Sequence, residues 1–163
     1  AITVSSLAPM PGQMLWDIGA GCGSISIEWL RGTINARAIA VEHNMDRLGM
    51  INRNALALGA PELQVVFGEA LNEIIGLPSP DAVFIGGGLT SGGLLEYCWQ
   101  NLKPGGRLVA NSVTFEGERR LFEAHEKLGG DLNKIDISRA QAVGGFSSWH
   151  ALKPVTQLKI VKT

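Results

Sequence analysis

The chain has 163 residues, enough for one domain that buries a sizeable core. Hydrophobic residues make up 45% of it, as in a compact α/β protein, and no apolar run has the roughly 18 residues of a membrane span, so we expect no membrane association. A net charge of −1 disfavours a broad nucleic-acid surface. Cys22 and Cys98 have neither metal-ligand nor disulfide spacing, which predicts no metal site and a reducing, cytoplasmic compartment.

Segments typical of strands and helices alternate along the chain after a short helical lead-in. This alternation predicts βαβ units and a mostly parallel sheet. No helical pattern separates the last two strands, so we expect them to pair antiparallel. The first predicted strand ends at Asp17, and the later ones cover 36–42, 63–67, 81–85, 107–113, 134–140 and 155–161. The predicted helices cover 24–31, about 44–58, a short stretch from 70, about 94–102 and 116–129.

Residues 15–23 are the most informative stretch. An apolar strand runs into Asp17, and glycines follow at positions 19, 21 and 23. Glycine takes positive φ without strain and lets a ligand lie against bare backbone. A tight turn that opens a helix also offers unpaired N–H groups to a polar ligand. The stretch therefore predicts a nucleotide-like ligand at this turn.

Glycines or polar residues follow each of the first five predicted strands. Ligands of open α/β sheets bind outside the carboxyl ends of the strands, so these residues predict one shared site. Glu42 ends the second strand, where a carboxylate accepts ribose hydroxyls and repels a phosphate. Glu69 is a candidate partner for an adenine amine, with Ala70 leaving room for the ring. The strand-end features are the glycine turn, Glu42, 68–70, 86–88 and Asn111–Ser112.

The glycine spacing distinguishes two kinds of nucleotide site. A dinucleotide site has G-x-G-x-x-G, whereas the third glycine here comes one place early and position 24 is Ser. G-x-G-x-G after an Asp resembles the first motif of class I S-adenosylmethionine-dependent methyltransferases, and Asp81 with the turn 102–106 resembles later blocks of that family. The resemblance implies a Rossmann-like α/β fold, with a seven-stranded, mostly parallel sheet and one antiparallel strand near the C-terminus.

The same resemblance implies S-adenosylmethionine as the cofactor and S-adenosylhomocysteine as its product. Asp17 would orient the turn near the methionine ammonium, Gly19 and Gly21 would let that moiety lie against the backbone, and Glu42 would hold the ribose. The cofactor residues that it implies are Asp17, Gly19, Ala20, Gly21, Gly23, Glu42, His43, Gly68, Glu69, Ala70, Gly86 and Gly87.

Four segments carry a closer resemblance, to the decarboxylating precorrin-6Y C5,15-methyltransferases of cobalamin (vitamin B12) biosynthesis. They are WDIGAGCGSISIEW (16–29), AVEHN (40–44), FIGGG (84–88) and LKPGGRLVANSVT (102–114). The resemblance implies methylation of C15 of a precorrin, coupled to decarboxylation of the ring C acetate. It also implies that 1–163 is one methyltransferase domain, the C-terminal part of a fusion whose N-terminal domain methylates C5. A homotetramer is expected on the same ground.

A polycarboxylate tetrapyrrole suits the C-terminal stretch, since 137–163 contains no Asp or Glu. Arg139 is a candidate carboxylate clamp and Trp149 a candidate lid, and the alternatives are a solvated strand arginine and core packing. Lys153 is a third candidate substrate contact. The candidate catalytic residues are Asn111 and Ser112, as hydrogen-bond partners near the methyl group, and His150, as a proton donor in the decarboxylation.

Three other functions stay open from the sequence. The first is a class I methyltransferase of the same fold that acts on another small molecule or on RNA, although a chain of negative net charge fits RNA poorly. An NAD-dependent dehydrogenase and a non-catalytic nucleotide-binding module also use glycine turns at strand ends. Affinity for S-adenosylhomocysteine and for NAD distinguishes the cofactor classes.

Overall fold

Helices cover both faces of a seven-stranded sheet in the computed structural model, which describes every residue from Ala1 to Thr163. The helices are α1 (Ile2–Leu7), α2 (Ser24–Gly32), α3 (Met45–Ala57), α4 (Ala70–Glu73), α5 (Leu94–Asn101) and α6 (Phe115–Leu128). The strands are β1 (Met14–Ile18), β2 (Arg37–Glu42), β3 (Gln64–Phe67), β4 (Ala82–Ile85), β5 (Arg107–Ser112), β6 (Asp131–Ile135), β7 (Ser138–Val143), β8 (Phe146–Ala151) and β9 (Val155–Val161). None of the helices has the length and apolar character of a membrane span.

The strand order of the main sheet is β3-β2-β1-β4-β5-β9-β6. Neighbours among β1 to β5 pair parallel, and β9 pairs antiparallel with both β5 and β6. The predicted fold class is therefore confirmed, including the antiparallel pairing of the last strands. From β1 the chain builds the sheet toward β3, and from β4 it builds in the opposite direction. This reversal places a topological switch point at the carboxyl ends of β1 and β4.

Successive residues of the strands point to opposite faces of the sheet, where they pack into two separate hydrophobic cores. On one face Leu15 packs with residues of α1, α2 and α3, among them Trp29 and Ile51. On the other face Trp16 packs with residues of α5 and α6, including Leu94 and Leu121. Central strands that are buried on both faces appear in the sequence as continuous apolar runs, so their positions were predicted within one or two residues.

Hydrogen bonds at the amino edge of the sheet tie three elements together. The Asp81 carboxylate accepts the backbone N–H of Met14 at 2.8 Å and the Lys103 ammonium at 2.9 Å. Asp81 precedes β4 and Lys103 precedes β5, so both lie at the edge opposite the carboxyl ends. Asp81 and the turn 102–106, which carry part of the sequence resemblance, therefore stabilise the fold and do not form a ligand site.

The segment that joins β6 to β9 differs from the predicted strand 134–140. The strand β6 ends at Ile135, and β7 and β8 pair with each other in a separate two-stranded sheet. We call β7, β8 and their turn the hairpin. Gly144, at φ +59°, and Gly145 form its turn, where the sequence had suggested only a flexible stretch. Every residue of β7 and β8 is exposed, so no buried periodicity marked the two strands.

Candidate functional site

The carboxyl ends of β1 to β4 surround a cleft of about 260 Å³, which we call the cofactor cleft. Eight of the twelve predicted cofactor residues line it: Gly19, Glu42, His43, Gly68, Glu69, Ala70, Gly86 and Gly87. Of the other four lining residues, Gly88 belongs to the predicted strand-end segment 86–88, and sequence reasoning missed Val41, Arg47 and Ser91. No group of three or more His, Cys, Asp or Glu side chains is arranged to hold a metal ion.

The loops after β1 and β4 touch through glycine. Gly19 has φ +70°, and a Cβ built on it would lie 2.7 Å from the Gly87 nitrogen. Any side chain at position 19 would therefore push the two loops apart. Gly23 has a comparable role at the start of α2, where a Cβ would lie 3.0 Å from Ile51. Gly19 therefore shapes the wall of the cofactor cleft, whereas Gly23 does not line it and instead lets α2 start close to Ile51 of α3.

The N–H groups of the glycine turn are used within the chain. Gly19 and Ala20 both donate to the Val41 carbonyl, at 2.9 and 3.1 Å, and Gly23 donates to Ala20. Gly21 donates to the Glu42 carboxylate at 2.8 Å. The expectation that this turn offers unpaired N–H groups is thus wrong at these four positions. Gly21 instead leaves open space, since no atom lies within 4 Å of a Cβ built on it.

The Glu42 carboxylate is fixed in the wall of the cofactor cleft. Its side chain is only 1% exposed, and its two oxygens accept the N–H groups of Gly21 and Asn44 at 2.8 and 2.9 Å. Each oxygen keeps a lone pair for a further donor. His43 Nδ1 lies 3.5 Å and an Arg47 nitrogen 3.9 Å from this carboxylate. Arg47 was missed because its approach depends on the first turn of α3, which the Asn44 side chain caps.

Asp17 is fully buried and does not line the cofactor cleft. One carboxylate oxygen accepts the backbone N–H and the hydroxyl of Ser26, at 3.0 and 2.6 Å, while the other has no partner. Burial raises the pKa of this carboxyl from 3.8 to about 6, although the hydrogen bonds from Ser26 oppose the shift. Asp17 therefore anchors the first turn of α2 behind the glycine turn.

A second cleft, of about 190 Å³, adjoins the first, and we call it the acceptor cleft. Gly86, Gly87 and Gly88 line both clefts, so no side chain of this segment separates them. The predicted catalytic residues Asn111 and Ser112 line the acceptor cleft. None of its lining residues is ionisable: they are Gly86, Gly87, Gly88, Leu89, Thr90, Asn111, Ser112, Val113, Thr114 and Gly117.

Both polar candidates of the acceptor cleft are already oriented by neighbours. The Asn111 amide donates to the Thr3 hydroxyl at 3.1 Å and accepts from Gln157 at 2.8 Å. The Ser112 hydroxyl donates to the Thr114 carbonyl at 3.1 Å. A Cβ at Gly117 would overlap this hydroxyl, so α6 starts close to β5 only because position 117 is glycine.

The remaining predicted residues lie on or next to the hairpin, and none of them lines either cleft. Arg139 and His150 are cross-strand partners on one face of the hairpin. Trp149 pairs with Ala140 on the opposite face and is 75% exposed. Lys153 is exposed in the segment before β9. The structure thus separates the predicted clamp, Arg139, from the predicted lid, Trp149.

Comparison with known proteins identifies the family. The family profile described as "Precorrin methyltransferase domain" matches residues 1–162. The chain belongs to this family. The resemblance inferred from the sequence is therefore confirmed.

Two curated relatives and one solved structure illustrate the match. The precorrin-6Y C(5,15)-methyltransferase (decarboxylating) of Sinorhizobium sp is 50% identical over 157 residues, 96% of this chain and 38% of the relative. A Pyrobaculum calidifontis protein named "Probable cobalt-precorrin-6B C(15)-methyltransferase (decarboxylating)" is 32% identical over 161 residues, 95% of this chain and 82% of the relative. The C-terminal domain of precorrin-6Y C5,15-methyltransferase from Rhodobacter capsulatus has a TM-score of 0.91 at 42% identity, covering 99% of this chain and 87% of that one.

The length of the match differs between these relatives. The chain spans only 38% to 41% of the first curated relatives, whose names include two methylated positions. It spans 82% of the relative whose name includes C(15) alone.

Asp17 gives the free energy of unfolding a pH dependence. Because its pKa is about 6 in the folded chain and near 3.8 when unfolded, the folded state binds the proton more tightly. Its contribution to stability is fully present below about pH 4 and is lost as the pH rises through about 6. Relative to Asp17→Asn, the wild-type protein should lose about 2 kcal/mol of stability between about pH 4.5 and 7.5.

Urea unfolding of both proteins across this pH range measures the difference. Carbon-13 NMR titration of the Asp17 carboxyl provides an independent check. A titration midpoint near 4 in the folded protein, or parallel stability curves for the two proteins, would contradict the assignment.

Proposed function

We propose that this domain is an S-adenosylmethionine-dependent C-methyltransferase of cobalamin biosynthesis. It methylates C15 of a precorrin and couples this step to decarboxylation of the ring C acetate. The observation that carries the proposal is the pair of clefts that share Gly86–Gly88, in a chain of the precorrin methyltransferase family.

The lengths of the relatives support C15 as the position of methylation. Relatives named for both C5 and C15 are much longer than this chain, whereas the relative named for C15 alone is matched over most of its length. We therefore assign the C15 reaction to residues 1–163 and the C5 reaction to another domain of the longer relatives.

The cofactor cleft fits S-adenosylmethionine in three respects. Glu42 presents a fixed carboxylate to a ribose, and the lone pairs left on its oxygens accept the two hydroxyls. Gly21 does not line the cleft itself, but its N–H donates to Glu42 of the cleft, and the open space beside it accommodates the amino-acid portion against bare backbone. Glu69 and Ala70 border the cleft where an adenine would lie. When bound, this cofactor supplies an electrophilic methyl group.

In the proposed reaction the acceptor cleft contributes position and polarity. Gly86–Gly88 leave the path between the two clefts free of side chains, so the acceptor carbon can approach the methyl group in line. Asn111 and Ser112 hydrogen-bond the substrate at this point. No general base is needed, because an electron-rich meso carbon is itself the nucleophile.

Arg139, His150 and Lys153 have a peripheral role in this proposal. Because they lie outside both clefts, we assign Arg139 and Lys153 to carboxylates of a substrate that extends beyond the acceptor cleft. His150 is the proposed proton donor only for a substrate that reaches the hairpin.

We also propose that the chain forms a homotetramer through the hairpin. A two-stranded hairpin is at best marginally stable alone in water, and every residue of β7 and β8 is exposed. One face carries Ala140, Ala142 and Trp149 and no charged residue, while the other carries Arg139 and His150 together with Val143 and Phe146. The first face is suited to pack against the same face of another copy, and such a two-fold contact joins two copies. The sequence resemblance suggests four copies, which requires a second contact between two such pairs.

Cofactor affinity tests the role of Glu42. We expect Glu42→Ala to weaken S-adenosylhomocysteine binding by about 100-fold or more, because two hydroxyl bonds to a charged acceptor are lost. Isothermal titration calorimetry measures this affinity, and circular dichroism checks that the fold is retained. Glu62→Ala, in an exposed position before β3, is the matched control and should bind as the wild type does. Binding of NAD without S-adenosylhomocysteine would overturn the cofactor assignment.

Mass spectrometry of a precorrin incubated with the protein and S-adenosylmethionine tests the reaction. The expected product has gained one methyl group and lost one carbon dioxide. Methylation without loss of carbon dioxide would contradict the coupling. An unmodified precorrin, with S-adenosylhomocysteine bound normally, would indicate a different acceptor.

Sedimentation velocity tests the assembly. Wild-type protein should sediment as a tetramer, and Ala142→Asp should dissociate it by placing a charge on the apolar face. Gln141→Asp, its neighbour on the other face, is the matched control and should remain a tetramer. A monomeric wild-type protein at about 50 μM would rule out the proposed tetramer.

A further inference from the structure

Phe115 and Arg119 lie next to each other outside the acceptor cleft. Phe115 is the first residue of α6 and is 86% exposed. Arg119 follows four residues later, so both side chains project from the same side of the helix. They line a shallow depression together with Thr90, Glu116 and Arg120, and Thr90 also lines the acceptor cleft. We call the surface formed by Phe115 and Arg119 the ledge.

The two side chains of the ledge have no structural partner in the chain. The core residues of α6 are Leu121 and Ala124, on another side of the helix. Arg119 takes part in no ion pair, whereas its neighbour Arg120 is paired with Glu96 and Glu123 at 2.8 and 2.7 Å. The fold therefore uses Arg120 and leaves Arg119 and Phe115 available to a ligand.

The size of the acceptor cleft requires such a surface. Its volume of about 190 Å³ lies below the range of about 300–1,000 Å³ that is typical of pockets for drug-sized ligands. A tetrapyrrole is larger than such ligands, so only the reacting part of its ring can enter. The rest must lie against the surface beside the opening, and the ledge is part of that surface.

We infer that the ledge binds the part of the substrate that remains outside the acceptor cleft. The Phe115 ring packs against the flat macrocycle, and the Arg119 guanidinium binds a peripheral carboxylate through two parallel hydrogen bonds. This inference rests on the proposed function, because it takes the acceptor to be a polycarboxylate tetrapyrrole.

The charge around the ledge provides an internal comparison. Glu116 lines the same depression and has no ion-pair partner, so it opposes the binding of a carboxylate. The nearby Glu118 carboxylate is hydrogen-bonded to Lys134 and Thr156 and is therefore already compensated. Arg119 and Glu116 should act on substrate affinity in opposite directions.

Binding of a stable porphyrin that carries eight carboxylates tests the ledge without any turnover. Fluorescence titration of the full chain should show affinities about tenfold weaker for Phe115→Ala and for Arg119→Ala. Glu116→Gln should bind more tightly than the wild type. A porphyrin with four carboxylates should lose less affinity on Arg119→Ala.

Two substitutions serve as matched controls. Phe122→Ala removes another exposed phenylalanine of α6, and Arg53→Ala removes an exposed arginine of α3, which lies on the other face of the sheet. Both should bind the porphyrin as the wild type does, and all variants should keep the wild-type urea midpoint. Equal porphyrin affinity of the wild type, Phe115→Ala and Arg119→Ala would overturn the inference.

Kinetics with a precorrin distinguishes failure of the ledge from failure of the proposed function. For the ledge, Phe115→Ala and Arg119→Ala should raise KM about tenfold, with kcat and S-adenosylhomocysteine affinity unchanged. Turnover by the wild type with unaltered KM in both variants would reject the ledge and leave the proposed function intact. A wild type that binds the porphyrin through the ledge but does not methylate a precorrin would reject the proposed function alone.

Discussion

The contact between Gly19 and Gly87 is the constraint on which the site depends. Two neighbouring parallel strands, β1 and β4, end in loops that touch backbone to backbone, at a distance that leaves no room for a Cβ. On the β2 side of β1, Gly19 and Ala20 donate to the Val41 carbonyl, so the glycine turn lies close to the end of β2 and the Gly21 N–H reaches the Glu42 carboxylate. The contact between Gly19 and Gly87 brings Gly86–Gly88 to the boundary between the two clefts. The glycine turn therefore acts on both parts of the site: its hydrogen bonds to the end of β2 help to position the proposed ribose partner, and its contact with Gly87 leaves the path to the acceptor open.

The sequence predicted the buried part of the fold well and the exposed part poorly, for a physical reason. Strands such as β1 and β4 are covered on both faces, and burial requires the continuous apolar runs by which they were recognised. The hairpin has no buried face within one chain, so neither strand of it needs an alternating pattern. Gly144–Gly145 was the remaining signal, and a glycine pair occurs equally in flexible loops and in two-residue turns.

The site shows a similar division. Glu42, Gly68–Ala70 and Gly86–Gly87 could be placed together from the sequence, because a parallel sheet brings the carboxyl ends of its strands to one edge. The direction of the N–H groups in the glycine turn could not be predicted from the sequence, because it depends on which acceptor, Val41 or Glu42, comes within reach after folding. Arg47 and Phe115 were missed although the starts of their helices were predicted within one residue, because the rotation of a helix about its axis decides which side chains face the site. Neither is specified by a motif.

The distribution of charge connects the two proposed reactions. The cofactor cleft is bordered by Glu42, His43 and Arg47, and the ledge carries Arg119, but the acceptor cleft between them has no ionisable lining residue. An uncharged, partly enclosed space stabilises a carboxylate less than water does, whereas it affects neutral carbon dioxide little. In the proposed reaction a substrate carboxylate held in the acceptor cleft is therefore the one lost as carbon dioxide, and the electron pair of the broken C–C bond neutralises the positive charge that methyl transfer leaves on the macrocycle. Carboxylates at the ledge are retained by pairing with a guanidinium. The acetate to be removed is thus selected by the absence of a charged side chain from the acceptor cleft.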